Sequence, residues 1–221
     1  LFERGLRGVT LTRAGEAVYD RALSMHRASV DIERLTLDGQ NPEAGQVAIA
    51  AQEGVGGYFI GPETADFMRE NPAIRLALDC GFYPASPVDR HVDLSVHIGE
   101  QPVAPEVVAT PIATVHYGLF ASRDYLETYG APTRLDAAAG HRFVSHVAQN
   151  PDGSSRKTEA FFALTGPALV VNSSTAMLHA LQRGAGIGVI PTAILTVAPD
   201  LVMLDIPPLA SSTVWLHHHR D

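Results

Sequence analysis

The pattern of hydrophobic and polar positions divides the chain into an N-terminal helical stretch and a longer body of alternating strands and helices. In the N-terminal stretch, Val18, Met25 and Ile32 recur every seven residues, and Leu35 follows three residues later. This spacing predicts one long helix over residues 12–38 with a narrow apolar seam, and Thr12 can accept a backbone N–H as its N-cap.

The apolar seam of this helix has two structural interpretations. A single amphipathic helix usually packs its apolar face on the core of its own domain. Here the helix precedes every predicted strand and its seam is flanked by charge, which favours a partner helix from a second subunit. We therefore expect a homodimer or homotetramer, with a contact formed by Val18, Met25, Ile32 and Leu35.

Beyond Pro42 the pattern changes to short apolar runs separated by glycine and proline. We predict strands at 46–51, 74–79 and 92–98, with a helix from about Tyr58 to Glu70 between the first two. Strand, helix and strand in this order imply a pair of parallel strands joined by a crossover.

A second set of alternating elements follows in the C-terminal part of the chain. Two strands are predicted at 107–113 and 117–121, and a helix at 123–129. The chain is expected to cross between two α/β halves near 111–114 and again near 207–210. The further predicted elements are strands at 142–147, 168–171, 186–190, 201–206 and 213–218, and helices at 156–164 and 174–183.

Several motifs resemble those of the LysR-type transcriptional regulators. The opening LFERGLRGVTLTRAGE closely resembles the part of that family that ends the recognition helix, forms the wing and starts the linker helix. Residues 184–191, GAGIGVIP, resemble the family's GxGIxxLP signature. Trp215-Leu216 with His218 resembles its wLxxH strand, and Phe67 with Asn71-Pro72 its helix end. The resemblance covers nearly the whole chain.

This resemblance implies an α/β fold of the type 2 periplasmic-binding-protein kind, with two subdomains around an effector cleft. The expected units are 1–38 for a remnant of the winged helix-turn-helix plus the linker helix, 45–113 with 210–221 for subdomain I, and 114–209 for subdomain II. The chain would sense a small molecule and transmit the signal through linker-helix dimers. Most of the DNA-binding head is expected to lie outside this sequence.

The effector site is expected where strand ends face helix N-termini, because free N–H groups there suit a small anion. Capping alone would also account for Asn172 and Ser173. Glu53 departs from the small polar residue that the family often has at its position, which favours a cationic or hydroxylated ligand. The candidate effector-binding residues are Gln52, Glu53, Gly54, Val55, Gly81, His97, Ser145, His146, Asn172 and Ser173.

The distribution of charge places any contact with DNA at the N-terminus. The whole chain carries a formal net charge of −8, which argues against a nucleic-acid binder as a whole. Residues 1–13, in contrast, contain three arginines and one glutamate. The expected DNA-proximal residues are Arg4, Arg7, Thr12 and Arg13.

The histidines allow more than one interpretation. His217 and His219 share one face of a predicted strand, so a metal pair is geometrically possible. They lack a third ligand at a recognised metal spacing, and we therefore interpret them as surface imidazoles on an edge strand and expect no metal. His97 could donate a hydrogen bond to a carboxylate effector, or it could be a satisfied residue at a strand end.

Other signals argue against catalysis and cofactors. The run Gly184-x-Gly186-x-Gly188 follows a helix and precedes a strand, the reverse of a dinucleotide-binding fingerprint, so we expect these glycines to allow tight helix packing. No catalytic motif is found, and we expect neither an enzyme nor a cofactor. The single cysteine, Cys80, excludes an internal disulfide and disfavours thiol sensing.

The composition is typical of a soluble globular protein, with 46% hydrophobic and 18% charged residues. No run of eighteen apolar residues occurs, so we expect a cytoplasmic protein without a membrane partner. The alternative function is a free-standing solute-binding protein for a transporter. The arginine-rich opening and the seamed helix favour the regulator, since a solute-binding protein needs neither.

Overall fold

The structure is a computed structural model, and it describes most of the chain. The described residues are 1–5, 8–19, 21–22, 25, 29, 32, 45–81, 86–87, 92–101, 105–146 and 168–220.

The described residues of 1–32, here called the N-terminal arm, form a hairpin and a helix. Strands β1 (Phe2–Gly5) and β2 (Gly8–Leu11) pair antiparallel, with Phe2 opposite Leu11. The helix follows directly, and the Thr12 Oγ1 accepts the backbone N–H of Gly15 at 3.0 Å. Thr12 is therefore an N-cap, as predicted. Positions 13–19, 21, 22, 25, 29 and 32 are helical.

The predicted seam of this helix is exposed in the single chain. The exposed fractions are 50% for Val18, 75% for Met25 and 62% for Ile32. Leu35 lies outside the described residues. The seam therefore does not pack on the core of its own chain, which disfavours the first of the two interpretations.

The first half of the body contains a parallel sheet and one helical run. Strand β3 (Gly45–Gln52) lies between β4 (Ile74–Gly81) and β5 (Leu94–Gly99) and is parallel to both, as the predicted crossover requires. Between β3 and β4, the chain forms α1 (Glu53–Val55), a π-helical turn (Gly56–Ile60) and α2 (Gly61–Glu70).

The helical run begins five residues earlier than predicted, at Glu53 instead of Tyr58. The sequence Glu-Gly-Val-Gly-Gly predicts a turn because glycine weakens a helix. In the structure Gly56 is buried against Ala51 and Cys80, where a β-carbon would not fit. The close approach of helix and sheet therefore accounts for a glycine that sequence reasoning assigned to a loop.

Two long strands join the halves of the body. Strand β6 (Val107–Ser122) is continuous, so the prediction of two separate strands is wrong. Strand β11 (Ala210–His219) lies antiparallel between β5 and β6. Along β6, pairing with β11 ends at Tyr117, which lies opposite Ala210. Pairing with the strand that ends at Pro191, in the second half, begins at the same residue.

The second half repeats the alternation of strands and helices. Its elements are α3 (Arg123–Tyr129), β7 (Phe143–His146), β8 (Leu169–Val171), α4 (Ser174–Gln182), β9 (Ile187–Pro191) and β10 (Leu201–Met203). Strand β7 is parallel to both β8 and β9. The predicted helix at 156–164 lies outside the described residues. In the described part of the chain, β3 to β11 form one sheet ordered β4-β3-β5-β11-β6-β9-β7-β8, with β10 paired to β6.

Helix α4 packs closely on β9, as the glycine run predicts. A β-carbon at Gly188 would lie 2.8 Å from Met177 and 2.9 Å from Leu181. Gly184 has a φ of +75°, and its N–H donates to the Leu181 carbonyl at 3.0 Å as the helix ends. Glycine is therefore required both at the close approach and at the left-handed residue.

The assignment of the histidine cluster to an edge strand is wrong. Strand β11 lies between β5 and β6, and His217 is 4% exposed. A neighbouring strand on each side accounts for this burial. Among the described residues, no helix has the length and apolar character that crossing a membrane requires.

Candidate functional site: a carboxylate at the N-terminus of α4

The two halves of the body meet where Glu53, the first residue of α1, reaches the N-terminal end of α4. The Ser173 hydroxyl donates a hydrogen bond to Glu53 Oε1 at 2.9 Å. The backbone N–H of Ser174 donates to Oε2, and the N–H of Thr175 donates to Oε1 at 3.5 Å. Both oxygens of the Glu53 carboxylate therefore accept donors from the opposite half.

The contact follows from the chemistry of a helix N-terminus. The first N–H groups of a helix have no partner within it, and the helix dipole adds partial positive charge at this end. Ser173 occupies the N-cap, where its Oγ accepts the N–H of Ala176 at 3.2 Å. The N–H groups of the next residues are left for Glu53, which forms charge-assisted hydrogen bonds with them.

These donors keep Glu53 ionised. Burial raises the pKa of Glu53, but the N–H of Ser174 and the hydroxyl of Ser173 lower it, and the pKa lies below the ordinary value. Hydrogen bonds to the charged form therefore outweigh the cost of burial. At neutral pH a fixed negative charge lies between the two halves.

Gly54 and Tyr58 bring the same helical run against the second half. A β-carbon at Gly54 would lie 3.0 Å from the Ser174 Oγ, so a larger residue would press on the start of α4. Tyr58 packs against the apolar cluster of the second half that includes Phe120 and Met177. Burial raises the pKa of Tyr58, and the negative charge of Glu53 raises it further.

His146 and Cys80 lie within electrostatic reach of Glu53. Burial lowers the pKa of His146, and the Glu53 charge partly offsets that effect. For Cys80, burial, Asp79 and Glu53 all raise the pKa of the thiol. A raised pKa is the opposite of what a reactive thiolate requires.

Three other predicted site residues shape the end of the first half. The Gln52 Oε1 accepts the backbone N–H of Ile98 at 3.2 Å, which ties β3 to β5. Gly81 is the register partner of Gln52 at the end of β4. Val55 is half-buried and packs against the apolar cluster of the first half.

The remaining predicted residues lie on different elements. Ser145 is buried on β7, at 2% exposure, and Asn172 is exposed between β8 and the cap of α4. The ring of His97 lies 6.0 Å from that of His217, so His97 belongs to a histidine pair on the central strands. Burial lowers the pKa of both imidazoles.

Sequence reasoning missed three residues of this contact: Tyr58, Ser174 and Thr175. A signal existed for the last two, since the first turn after a serine cap presents free N–H groups. Tyr58 is four residues after Gly54, a spacing that places both on one helix face. That relation was hidden because the helix was predicted to begin at Tyr58.

Three of the four expected DNA-proximal residues lie in the arm. Thr12 caps the arm helix, and Arg13 is exposed at its first turn. Arg4 lies on β1, and Arg7 lies outside the described residues. In the described part of the chain, no group of three or more His, Cys, Asp or Glu side chains could hold a metal ion.

Comparison with known proteins gives one family. Residues 40–221 match the family model described as the LysR substrate binding domain. The probable HTH-type transcriptional regulator LtrA of Klebsiella pneumoniae is 23% identical over 195 residues, which are 86% of this chain. The chain spans 62% of the length of that regulator.

Solved structures show the same fold. The full-length Vibrio cholerae virulence activator AphB, described as a member of the LTTR family, matches all of this chain and 77% of its own, with a TM-score of 0.69 and 21% identity. Full-length CbnR in complex with its target DNA matches 96% of this chain and 76% of its own, with a TM-score of 0.66 and 14% identity. The predicted α/β fold of the type 2 periplasmic-binding-protein kind is thus confirmed.

Proposed function

The chain belongs to the LysR substrate-binding domain family, and we propose that it is the sensor part of a LysR-type transcriptional regulator. A small-molecule effector binds between the two halves of the body and changes how they sit against each other. The linker helices of a homodimer or homotetramer pass that change to DNA-binding heads. The DNA contacts belong to these heads and to the arm.

The contact of Glu53 with the start of α4 carries this proposal. It joins the start of α1, after β3 in one half, to the start of α4, after β8 in the other, across 120 residues of sequence. A ligand that inserts there changes contacts in both halves at once, which is what a sensor needs to bias one arrangement over another. The ten predicted effector-binding residues remain the proposed lining of the cleft.

The proposed units follow the path of β6. Residues 45–113 and 210–221 form subdomain I, residues 114–209 form subdomain II, and residues 1–38 form the wing remnant and linker helix. The change of partner at Tyr117 lies close to the boundary between the two subdomains. Strands β6 and β11 are therefore the proposed hinge segments.

The exposed seam of the arm supports the dimer. Val18, Met25 and Ile32 lie on one helix face and are at least half exposed. A second copy of the same helix covers such a face in a coiled-coil contact.

A solute-binding protein for a transporter is not favoured, because the curated relatives are named as transcriptional regulators. We propose no catalytic activity and no cofactor for the same reason. The protein is proposed to act in the cytoplasm, where its DNA target lies.

A thermal-shift screen of metabolites tests the sensing function. We expect at least one compound to raise the Tm of this chain, because a ligand that binds only the folded state stabilises it. The double variant Ser145→Ala with Asn172→Ala should lose that shift. The control is Ser211→Ala, at an exposed position on β11, which should keep it. A true effector that stabilises the double variant as strongly as the wild type would place its site elsewhere.

A further inference from the structure

The N-terminus of α4 lies at the contact between the two halves of the body, and a side chain of the chain itself occupies it. A small anion that entered the cleft would be drawn to the free N–H groups and positive end of this helix. Glu53 already receives the Ser174 and Thr175 N–H groups and the Ser173 hydroxyl. The position is therefore filled by a carboxylate that the first half of the body supplies.

We infer that Glu53 is a built-in occupant of the α4 N-terminus, and that it determines effector specificity by excluding anionic effectors from this position. The inference rests on the proposed function, since it concerns the effector of the same cleft. It assigns the effector to the neutral or cationic class, with an ammonium, amide or hydroxyl donor on the side that meets Glu53.

Two physical effects act against a carboxylate effector here. The donors that would bind its oxygens are already engaged, so binding would require Glu53 to leave and lose its own hydrogen bonds. If Glu53 stayed, two negative charges would lie side by side in a partly buried site, where repulsion is stronger than in water. A cationic or donor group meets neither obstacle.

The groups around Glu53 agree with this assignment. Ser173, Ser174 and Thr175 donate to it. The pKa values of Tyr58 and Cys80 ordinarily lie above 7 and are raised further by burial, so both groups are neutral at pH 7. His146, the imidazole within reach, has a lowered pKa because of burial. Glu53 supplies the negative charge at this contact. Among the described residues there, no lysine or arginine contributes to the shift of its pKa.

Acetate is the probe that tests the inference, because it reproduces the Glu53 carboxylate without the rest of the side chain. The experiment compares wild type, Glu53→Ala, Glu53→Gln and Glu70→Ala in sodium acetate and in sodium chloride of equal ionic strength. It measures the Tm and the amide chemical shifts of Ser174 and Thr175. Glu70 is an exposed acid at the end of the same helical run, so its variant is the matched control.

Removal of the Glu53 side chain should open the site to the probe. We expect Glu53→Ala to lower the Tm by about 3–8 °C, because charged hydrogen bonds to α4 are lost. Acetate at ten times its Kd should then raise the Tm of this variant by about 3–6 °C and shift the two amides. Wild type and Glu70→Ala should show neither response.

Glu53→Gln separates charge from space. The glutamine amide fills the same volume as the carboxylate, so this variant should not respond to acetate. It should be less stable than wild type, because it lacks the negative charge that the α4 N–H groups bind. Glu53→Gln also keeps the inference testable if Glu53→Ala does not fold. In that case acetate must leave the chemical shift of the Ser174 amide unchanged in both wild type and Glu53→Gln.

Two results would overturn the inference. One is acetate binding at Ser174 in the wild type, which would show that the site accepts anions with Glu53 present. The other is a folded Glu53→Ala that gains no acetate response over Glu70→Ala. Neither result would affect the sensing function, which fails separately if no metabolite changes the Tm of the wild type.

Discussion

The N-terminal arm and the body treat their apolar side chains in opposite ways. In the body, Leu119, Phe120 and Phe143 are no more than 1% exposed and form part of clusters that the chain completes by itself. In the arm, Val18 and Met25 follow an equally regular pattern and stay at least half exposed. The same kind of periodicity thus produces a closed core in one region and an unpaired face in the other.

The difference shows which interactions each region depends on. Burial of apolar surface stabilises the body within one chain, at about 25 cal/mol per Å² removed from water. An isolated helix is marginal in water, and most of its stability comes from tertiary packing. We therefore expect the arm helix to depend on a second copy and the body to be independent of one.

A core truncation gives the largest expected effect. Phe143→Ala should destabilise the body by about 3–5 kcal/mol, because it leaves a cavity in the cluster between β7, β9 and β6. Val18→Ala, a truncation in the arm, should change the unfolding free energy of the body by less than about 0.5 kcal/mol. Urea denaturation followed by tryptophan fluorescence measures both. Equal losses would mean that arm and body share one core.

A charge in the seam gives the next effect. Met25→Glu should weaken dimerisation about tenfold or more, since a carboxylate would be buried between two helices. Tyr19→Glu is the matched control, because Tyr19 is an exposed apolar residue of the same helix outside the seam. Light scattering over a dilution series gives the association constants. An unchanged mass for Met25→Glu would contradict a seam contact.

The smallest effect is expected from pH, and it should arise in the body. Burial lowers the pKa of His217 and His97, and in His217 the neighbouring His97 adds to the effect. As the pH falls below 6.5, both imidazoles stay neutral in the folded state, while in the unfolded chain they take up protons. Their contribution to stability is therefore present above pH 6.5 and is lost as pH falls through the lowered pKa values.

Substitution of the buried imidazole isolates this contribution. His217→Gln should make the fall in stability between pH 7 and pH 5 shallower, by less than one bound proton. The matched control is His116→Gln, at an exposed position on β6. The measurement is the free energy of unfolding in urea at each pH. If this free energy fell as steeply with pH in His217→Gln as in the wild type, His217 would not be the source of the pH dependence.

Local patterns predicted most of the fold. Parallel pairing of β3 with β4, the cap at Thr12 and the helix 123–129 follow from periodicity and capping residues. Long-range contacts explain the errors. Pairing with β11 along its length keeps β6 continuous through Pro111, and the contact of Gly56 with Cys80 allows a helix through a glycine-rich segment.

The candidate site was predictable only in part. Strand ends and a serine cap indicated the region around Glu53 and Ser173. The position of the Glu53 carboxylate at the N-terminus of α4 was not predictable. It depends on how two segments 120 residues apart in sequence approach each other. The burial of His217 was missed for a related reason. Side chains alternate between the two faces in the same way in a central and in an edge strand, so the sequence pattern does not distinguish them.

Hydrogen exchange at two protein concentrations tests the contrast between arm and body most directly. Amides of the arm helix should exchange quickly at concentrations where the chain is monomeric and slowly where it is dimeric, because a partner copy stabilises that helix. Amides of β6 and β9 should be equally protected at both concentrations. Arm protection that does not change with concentration would contradict the account, because it would mean that the helix is stable without a second copy.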